Sequence, residues 1–282
     1  MSEGVAAERA GELEGALRGR VVLLAPHMDD ELIGCGAILA SLPRPERLFV
    51  VYATDGAGSP SPPLPWIGVD REALARTRRD EARAGLEALG ITGGNAHFLG
   101  LPDGRLGRNP KALRKAVAGS LETLAPDTLL LPFRFDGHPD HLALHAAGHA
   151  VSGGDGDPRV LEYFVYARWR LLPGRDVRRL LRPECLLRLE PDGEARARKR
   201  RALECHRTQT TRWFDWQARP NLTAAFIERA CGEPELLLDR SRCDDGGLRG
   251  AAALRLRLVH ALEPRLKRGK DRVLASTRAL VR

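Results

Sequence analysis

The sequence predicts an α/β fold: a Rossmann-like, mostly parallel sheet with helices on both faces. Residues 20–135 alternate short apolar runs with longer stretches of helical periodicity, the pattern of βαβ units. Two polar clusters, Pro26-His27-Met28-Asp29-Asp30-Glu31 and His138-Pro139-Asp140-His141, each follow a run that reads as a buried strand. Both would reach the C-terminal edge of the strands, where open α/β folds build their sites.

Val21 to Pro26 reads as the first strand, and Leu32 to Leu42, free of proline and apolar at helical spacing, as the helix behind it. Leu48 to Thr54 is the second strand and ends in the turn residues Asp55-Gly56-Ala57-Gly58. Segment 59–69 holds four prolines and reads as a loop. From Arg71 to Leu89 apolar residues recur every three or four positions, and Gly90 supplies a stop. Ala96 to Gly100 is a third strand, 110–124 a helix, and Thr128 to Phe133 a fourth strand with Pro132 near its end, because proline cannot donate in a central ladder. His141 to Val151 reads as helix and Val160 to Ala167 as a fifth strand. Leu171 to Leu189 is left as a hairpin or short helix, Glu194 to Gln209 as an amphipathic helix, and Leu236 to Leu238 as a last short strand. Crossovers between parallel strands should be right-handed.

A chain of 282 residues suffices for one large domain with an appendage. We expect a folded domain over 1–243 and a basic C-terminal extension over 244–282, where ten Lys/Arg face four Asp/Glu. No apolar stretch approaches the ~18 residues that suggest a spanning helix, and Met1 to Arg20 has no apolar signal core, so a cytoplasmic protein with no membrane span is expected. The five cysteines, Cys35, Cys185, Cys205, Cys231 and Cys243, are scattered and form no C-x-x-C pair, which fits reduced thiols. The net charge of +8 is mostly dispersed arginine, and the 5% aromatic residues are not interleaved with basic ones, which argues against nucleic acid as a partner. No signal of oligomeric state is present.

A catalytic zinc typically keeps three protein ligands and an open position for water. In a tight turn His27 and Asp30, three apart, can converge on one point while Asp29 projects differently, so one carboxylate can bind metal and its neighbour can face the water. His138 and His141 repeat that separation at a helix start, where Pro139 suits an early helical position and Asp140 can hydrogen-bond an imidazole. Capping alone would account for Asp30 and Glu31. It does not account for a histidine and two carboxylates answered by two histidines and an aspartate after another strand. His145 and His149 continue the His141 face at four-residue steps and form a competing helical pair; His97 and His206 read as single polar contacts. Gly34-Cys35-Gly36 begins a glycine fingerprint, but Leu39 stands where a third glycine belongs.

These residues resemble the PIG-L/LmbE family of N-acetylglucosaminyl deacetylases, whose hallmark is (P/A)-H-P-D-D-E after the first strand with a later H-P-D-H. The second motif is intact; the first has Met28 in place of proline. Thr54-Asp55-Gly56, Arg78-x-x-Glu81-Ala82, Phe98 to Gly104, and Lys199-x3-Leu203-x2-His206-x2-Gln209 are similar to family segments in the family's order, so the resemblance spans roughly 18–240. It implies a zinc-dependent N-deacetylase, a hydrolase of linear amide C–N bonds acting on a small-molecule amino-sugar conjugate. It implies one Zn2+ (or Fe2+) held by His27, Asp30 and His141, Asp29 as general base, His138 as oxyanion stabiliser or acid, and Asp140 orienting it. The loops carrying Asp55 and Asp103, with Arg78, are expected at the substrate, although Arg78 can instead pair with Glu81 along the helix.

Two other readings stay open on sequence. Two histidines and a carboxylate, as in His27-x-Asp29 with His141, also satisfy the count of a non-haem Fe(II) oxygenase, and the basic tail alone could make a binding protein without catalysis.

Overall fold

The computed structural model describes residues 15–60, 68–152, 158–167, 176–190, 192–242 and 247–248, and singly 254, 256 and 258. One sheet is built from β1 (Val21–Ala25), β2 (Leu48–Thr54), β3 (Ala96–Leu101), β4 (Thr128–Pro132), β5 (Arg159–Tyr163), β6 (Leu186–Leu189) and β7 (Glu235–Asp239), in the order β3-β2-β1-β4-β5-β7-β6. The first five run parallel, whereas β7 is antiparallel to both β5 and β6. The parallel part is the expected one. The antiparallel end comes from β7 alone: β6 keeps the direction of β5, and β7 lies between the two and runs against both.

The helices are α1 (Asp30–Ala40), α2 (Arg71–Ala88), α3 (Pro110–Leu124), α4 (Pro139–Ala150), α5 (Gly193–Cys205), the single turn α6 (Arg207–Thr210) and α7 (Ala224–Gly232). Side-chain caps start several of them: Asp70 accepts from Ala73 N, Asn109 from Ala112 N, and Asp192 from Ala195 N. The predicted helix 194–209 is broken at His206, whose backbone leaves the helical region (φ −81°, ψ 63°).

Strand β1 is buried throughout and divides its side chains by parity. Val21, Leu23 and Ala25 join the core under α1, α2 and α5, while Val22 and Leu24 join the core under α3 and α4. Helices therefore cover both faces, and β1 and β4 lie side by side where the strand order reverses, β2 lying beyond one and β5 beyond the other. That reversal opens a crevice at the strands' C-terminal ends, just where Pro26–Glu31 and Phe133–His141 emerge.

The glycines of Gly34-Cys35-Gly36 serve close packing rather than a nucleotide. A Cβ on Gly34 would stand 2.5 Å from the Tyr163 ring, and one on Gly36 would stand 2.8 Å from Lys199 Cγ. The Lys199 stem crosses α1 there and delivers a buried ammonium to Glu235 Oε1 (2.6 Å) and the Ile33 carbonyl (3.0 Å). Glu235 in turn accepts the N–H groups of Ala37 and Ile38. This pair ties α5 and β7 to α1. Removing one partner leaves an uncompensated buried charge, so Lys199→Met is expected to lower unfolding stability by about 3–5 kcal/mol; urea denaturation checks it, and a loss near zero would mean that the pair is not holding α1.

Cys185 is disulfide-bonded, which corrects the expectation of five reduced thiols, while Cys35, Cys205 and Cys231 are free. Within the predicted extension 244–282, Leu248 and Leu256 are buried in a third apolar cluster with Leu181, Cys185 and Leu238. The rest of that extension lies outside the described residues, apart from Gly247 and the exposed Leu254 and Leu258. No helix among the described residues is long and apolar enough to cross a membrane.

Candidate metal centre

The turn after β1 is held in an unusual shape. Asp29 has φ 135° and ψ −21°, a region that L-residues rarely occupy and that costs of order 1–3 kcal/mol. It stands at the N-cap position of α1, yet its side chain makes no capping hydrogen bond. The surroundings fix it instead. Its N–H donates to Glu31 Oε2, its carbonyl accepts Leu32 N and Ile33 N, and the Met28 carbonyl accepts the Arg78 guanidinium at 2.6 Å. Met28, in the position of the family proline, is fully buried over Gly56 (φ +68°), where a Cβ would meet its sulfur at 2.8 Å.

This geometry separates the two aspartates. Asp30 Oδ2 accepts His27 N (2.9 Å) and lies 3.0 Å from His27 Nδ1 and 3.2 Å from His141 Nε2. Burial acts to raise its pKa, but His141 and His27 outweigh that and hold the carboxyl far below the usual range. Asp29 faces the guanidinium of Arg78 at 3.5 Å, and burial, only partly offset by that arginine, pushes it up to about 7.

From β4, His138 caps α4 with its own ring: Nδ1 accepts the Asp140 N–H, and Pro139 occupies the first turn. One turn on, His141 is completely buried. Both its ring nitrogens lack a hydrogen bond of acceptable geometry, although Asp30 stands 3.2 Å from Nε2 and Asp136 stands 3.3 Å from Nδ1. Burial works to lower its pKa, but those two carboxylates raise it to about 10. His138 goes the other way, down to about 4, through burial and the positive charges of His27 and His141.

Nitrogens of His27, His138 and His141 lie within 4.8 Å of one another, and so do donor atoms of His27, Asp103 and Asp140. Buried imidazole nitrogens without partners, beside carboxylates that orient the rings, are the donors that a divalent metal of the zinc type requires. The residues fit such an ion. The expected set His27, Asp30 and His141 is in mutual contact within the first group's surroundings, and His138, only partly buried, is its outermost imidazole.

Other expected residues fall into different places. The Asp140 carboxylate does not orient His138, as the resemblance implies; it lies 3.3 Å from His27 Nε2 and accepts Gly104 N and Leu106 N. Asp103 sits 3.2 Å from the same nitrogen. Asp55 accepts Ala57 N and Asp103 N, so it shapes the loop that delivers Asp103. Arg78 is buried and does not bond Glu81, which holds Thr208 instead. His145 bonds the Pro132 carbonyl and stacks near His149, away from the metal group.

Two residues take parts beyond those expected from the sequence, where Asp136 is not singled out and Glu31 reads only as part of a helix start. Asp136, 1% exposed, holds His138 N and Tyr166 N while facing His141 Nδ1; its signal was its place two residues before His138. Glu31, with a carboxyl pushed up to about 8 by burial, bonds both Asp29 N and the Tyr52 hydroxyl. The centre opens into a cavity of about 800 Å³ whose wall includes His27, Asp29, Asp103, His138 and Tyr166.

Fold and site together define an α/β protein of the doubly wound type with a metal-type donor cluster at its strand-order reversal. Residues 22–152 match the family described as PIG-L: GlcNAc-PI de-N-acetylase. The chain is 32% identical over 183 residues to a 2'-N-acetylparomamine deacetylase of Streptomyces fradiae, a match over 58% of this chain and 63% of that relative's length. Its fold is similar to that of the A40926 pseudoaglycone deacetylase Dbv21 (TM-score 0.56, 22% identity, 79% of this chain and 97% of that one). It is also similar to the N,N'-diacetylchitobiose deacetylase of Pyrococcus horikoshii (TM-score 0.51, 19% identity, 74% of this chain and 80% of that one).

Proposed function

We propose that the protein is a metal-dependent hydrolase that removes an N-acetyl group from an amino-sugar conjugate. The observation that carries this reading is the convergence of His27, Asp30 and His141, with Asp29 held apart from them at the wall of a polar cavity. Relatives named as deacetylases of N-acetylparomamine and of N,N'-diacetylchitobiose point to the same substrate class. The hydrolase unit is assigned to 1–243, and 244–282 to a basic extension that packs Leu248 and Leu256 against it.

His27, Asp30 and His141 would hold the ion, with zinc the best match to an imidazole and carboxylate set. Such an ion supplies Lewis-acid polarisation of a carbonyl and acidification of water. The chain's own groups do the rest. Asp29, titrating near 7, is matched to taking a proton from water as the water's oxygen adds to the acetyl carbon. His138 receives the Asp140 N–H on Nδ1, so its neutral ring carries hydrogen on Nε2 and donates it to the developing oxyanion. With a pKa near 4 it acts as a neutral donor. When the C–N bond breaks, the proton on Asp29 passes to the departing amine, leaving acetic acid, which ionises. Arg78, 3.5 Å away, offsets part of the burial that raises Asp29 and so favours its ionised form between turnovers.

The test is to load the protein with zinc and incubate it with a panel of N-acetylamino-sugar conjugates, assaying free amine and acetate with and without dioxygen. Equimolar release independent of oxygen is expected. No release from any member at full metal loading overturns the assignment.

A further inference from the structure

We infer that the substrate's aglycone carries an anionic group, a phosphate or a carboxylate, bound by Arg71, Arg105 and Arg219; this rests on the deacetylase reading above. All three line the 800 Å³ cavity that contains His27, Asp29 and His138, and they come from three separate parts of the chain. Arg71 opens α2, Arg105 lies in the loop after β3, and Arg219 precedes α7.

The cavity's other charges are committed. Asp29 faces Arg78, whose two terminal nitrogens also donate to the Gly56 and Met28 carbonyls. Asp103 faces His27 and accepts Gly58 N. Both carboxylates therefore stand against cations of their own, deep in the wall. The side chains of Arg71, Arg105 and Arg219 have no carboxylate, carbonyl or ring partner among the described residues, and all three are exposed. The charge left over at the mouth is positive.

The remaining wall there is polar but neutral. Asn221 donates to Ser59 Oγ (2.7 Å) and Gln209 Oε1 (2.9 Å), and Gln209 donates to the Ser59 carbonyl (3.2 Å). That network is suited to sugar hydroxyls and adds no charge. A guanidinium's planar fork matches phosphate and carboxylate alike, and three of them around one opening would both steer an anion inward and reject a cationic aglycone.

The experiment compares kcat/KM for four N-acetylglucosaminides that differ only in the aglycone: methyl, aminoethyl, carboxymethyl and phosphoethyl. Binding of each to the Asp29→Asn protein is measured in parallel by calorimetry. The anionic members are expected to exceed the methyl compound by about ten-fold at low salt, with the aminoethyl compound below it. That preference should shrink with ionic strength and fall toward unity in the Arg71→Gln/Arg105→Gln/Arg219→Gln protein. Preference for phosphoethyl over carboxymethyl names the anion as phosphate, and the reverse as carboxylate. Equal turnover of all four, or a preference for aminoethyl, overturns the inference while leaving the deacetylase reading intact. Turnover of none overturns that reading itself, and calorimetry then still decides the charge preference.

Discussion

Asp29→Asn is expected to lower kcat by about 10²–10⁴-fold, the worth of a single general base, while leaving one metal per chain. The two aspartates of the turn are a natural experiment in environment. Asp30 Oδ2 lies against His27 and His141 and is held ionised, as a ligand must be, whereas Asp29 meets Arg78 from a buried position and titrates near 7. Asparagine preserves the shape and tolerates a positive φ at least as well as aspartate, so thermal stability should not fall. Asp30→Asn should do the reverse, releasing metal. Metal analysis by mass spectrometry and steady-state kinetics on both variants separate these roles. Loss of metal from Asp29→Asn, or unchanged kcat, would remove Asp29 from the role of base.

That contrast was legible in the sequence because spacing within one turn is local. His27 and Asp30 three apart, and His138 and His141 three apart, declare which side chains share a direction, and the apolar runs before them declare a common sheet edge. The partners of those residues were not legible, because they arrive from other loops. Asp140 was expected beside His138, its neighbour in sequence, yet α4 turns its carboxylate toward His27, where Gly104 N and Leu106 N from the β3 loop receive it. Asp136 reads as an ordinary loop acid until the fold sets it between His141 and Tyr166. The same holds for Lys199: one lysine in a basic helix gives no sign that Gly36 clears a path for it to Glu235. The antiparallel β7 was hidden similarly, since a short Leu-Leu-Leu run fixes a strand but not its direction.

Metal affinity is expected to climb with pH by about a hundredfold per unit below the raised pKa values of His27 and His141. Each imidazole must shed a proton to ligate, and each displaced proton contributes a factor of ten per pH unit. Without metal both rings hold their protons well above the ordinary 6.5: for His27, burial is outweighed by Asp103, Asp140 and Asp30, and for His141, Asp136 and Asp30 bring the value to about 10. The sign for stability follows. A folded-state pKa raised above the unfolded value stabilises the metal-free protein fully below about 6.5 and ceases to do so as pH rises through the folded value. Metal stabilisation runs oppositely, so the rise in Tm on adding zinc should grow between about pH 6 and 8. The slope also identifies the donors. Asp103 and Asp140 are already ionised, so an ion held by His27 with those two carboxylates displaces one proton, whereas one held by His27, Asp30 and His141 displaces two. Chelator-competition titrations across this range read that slope directly. His141→Ala should reduce it by one; a slope of one in the unaltered protein would move the metal to the carboxylate side of His27.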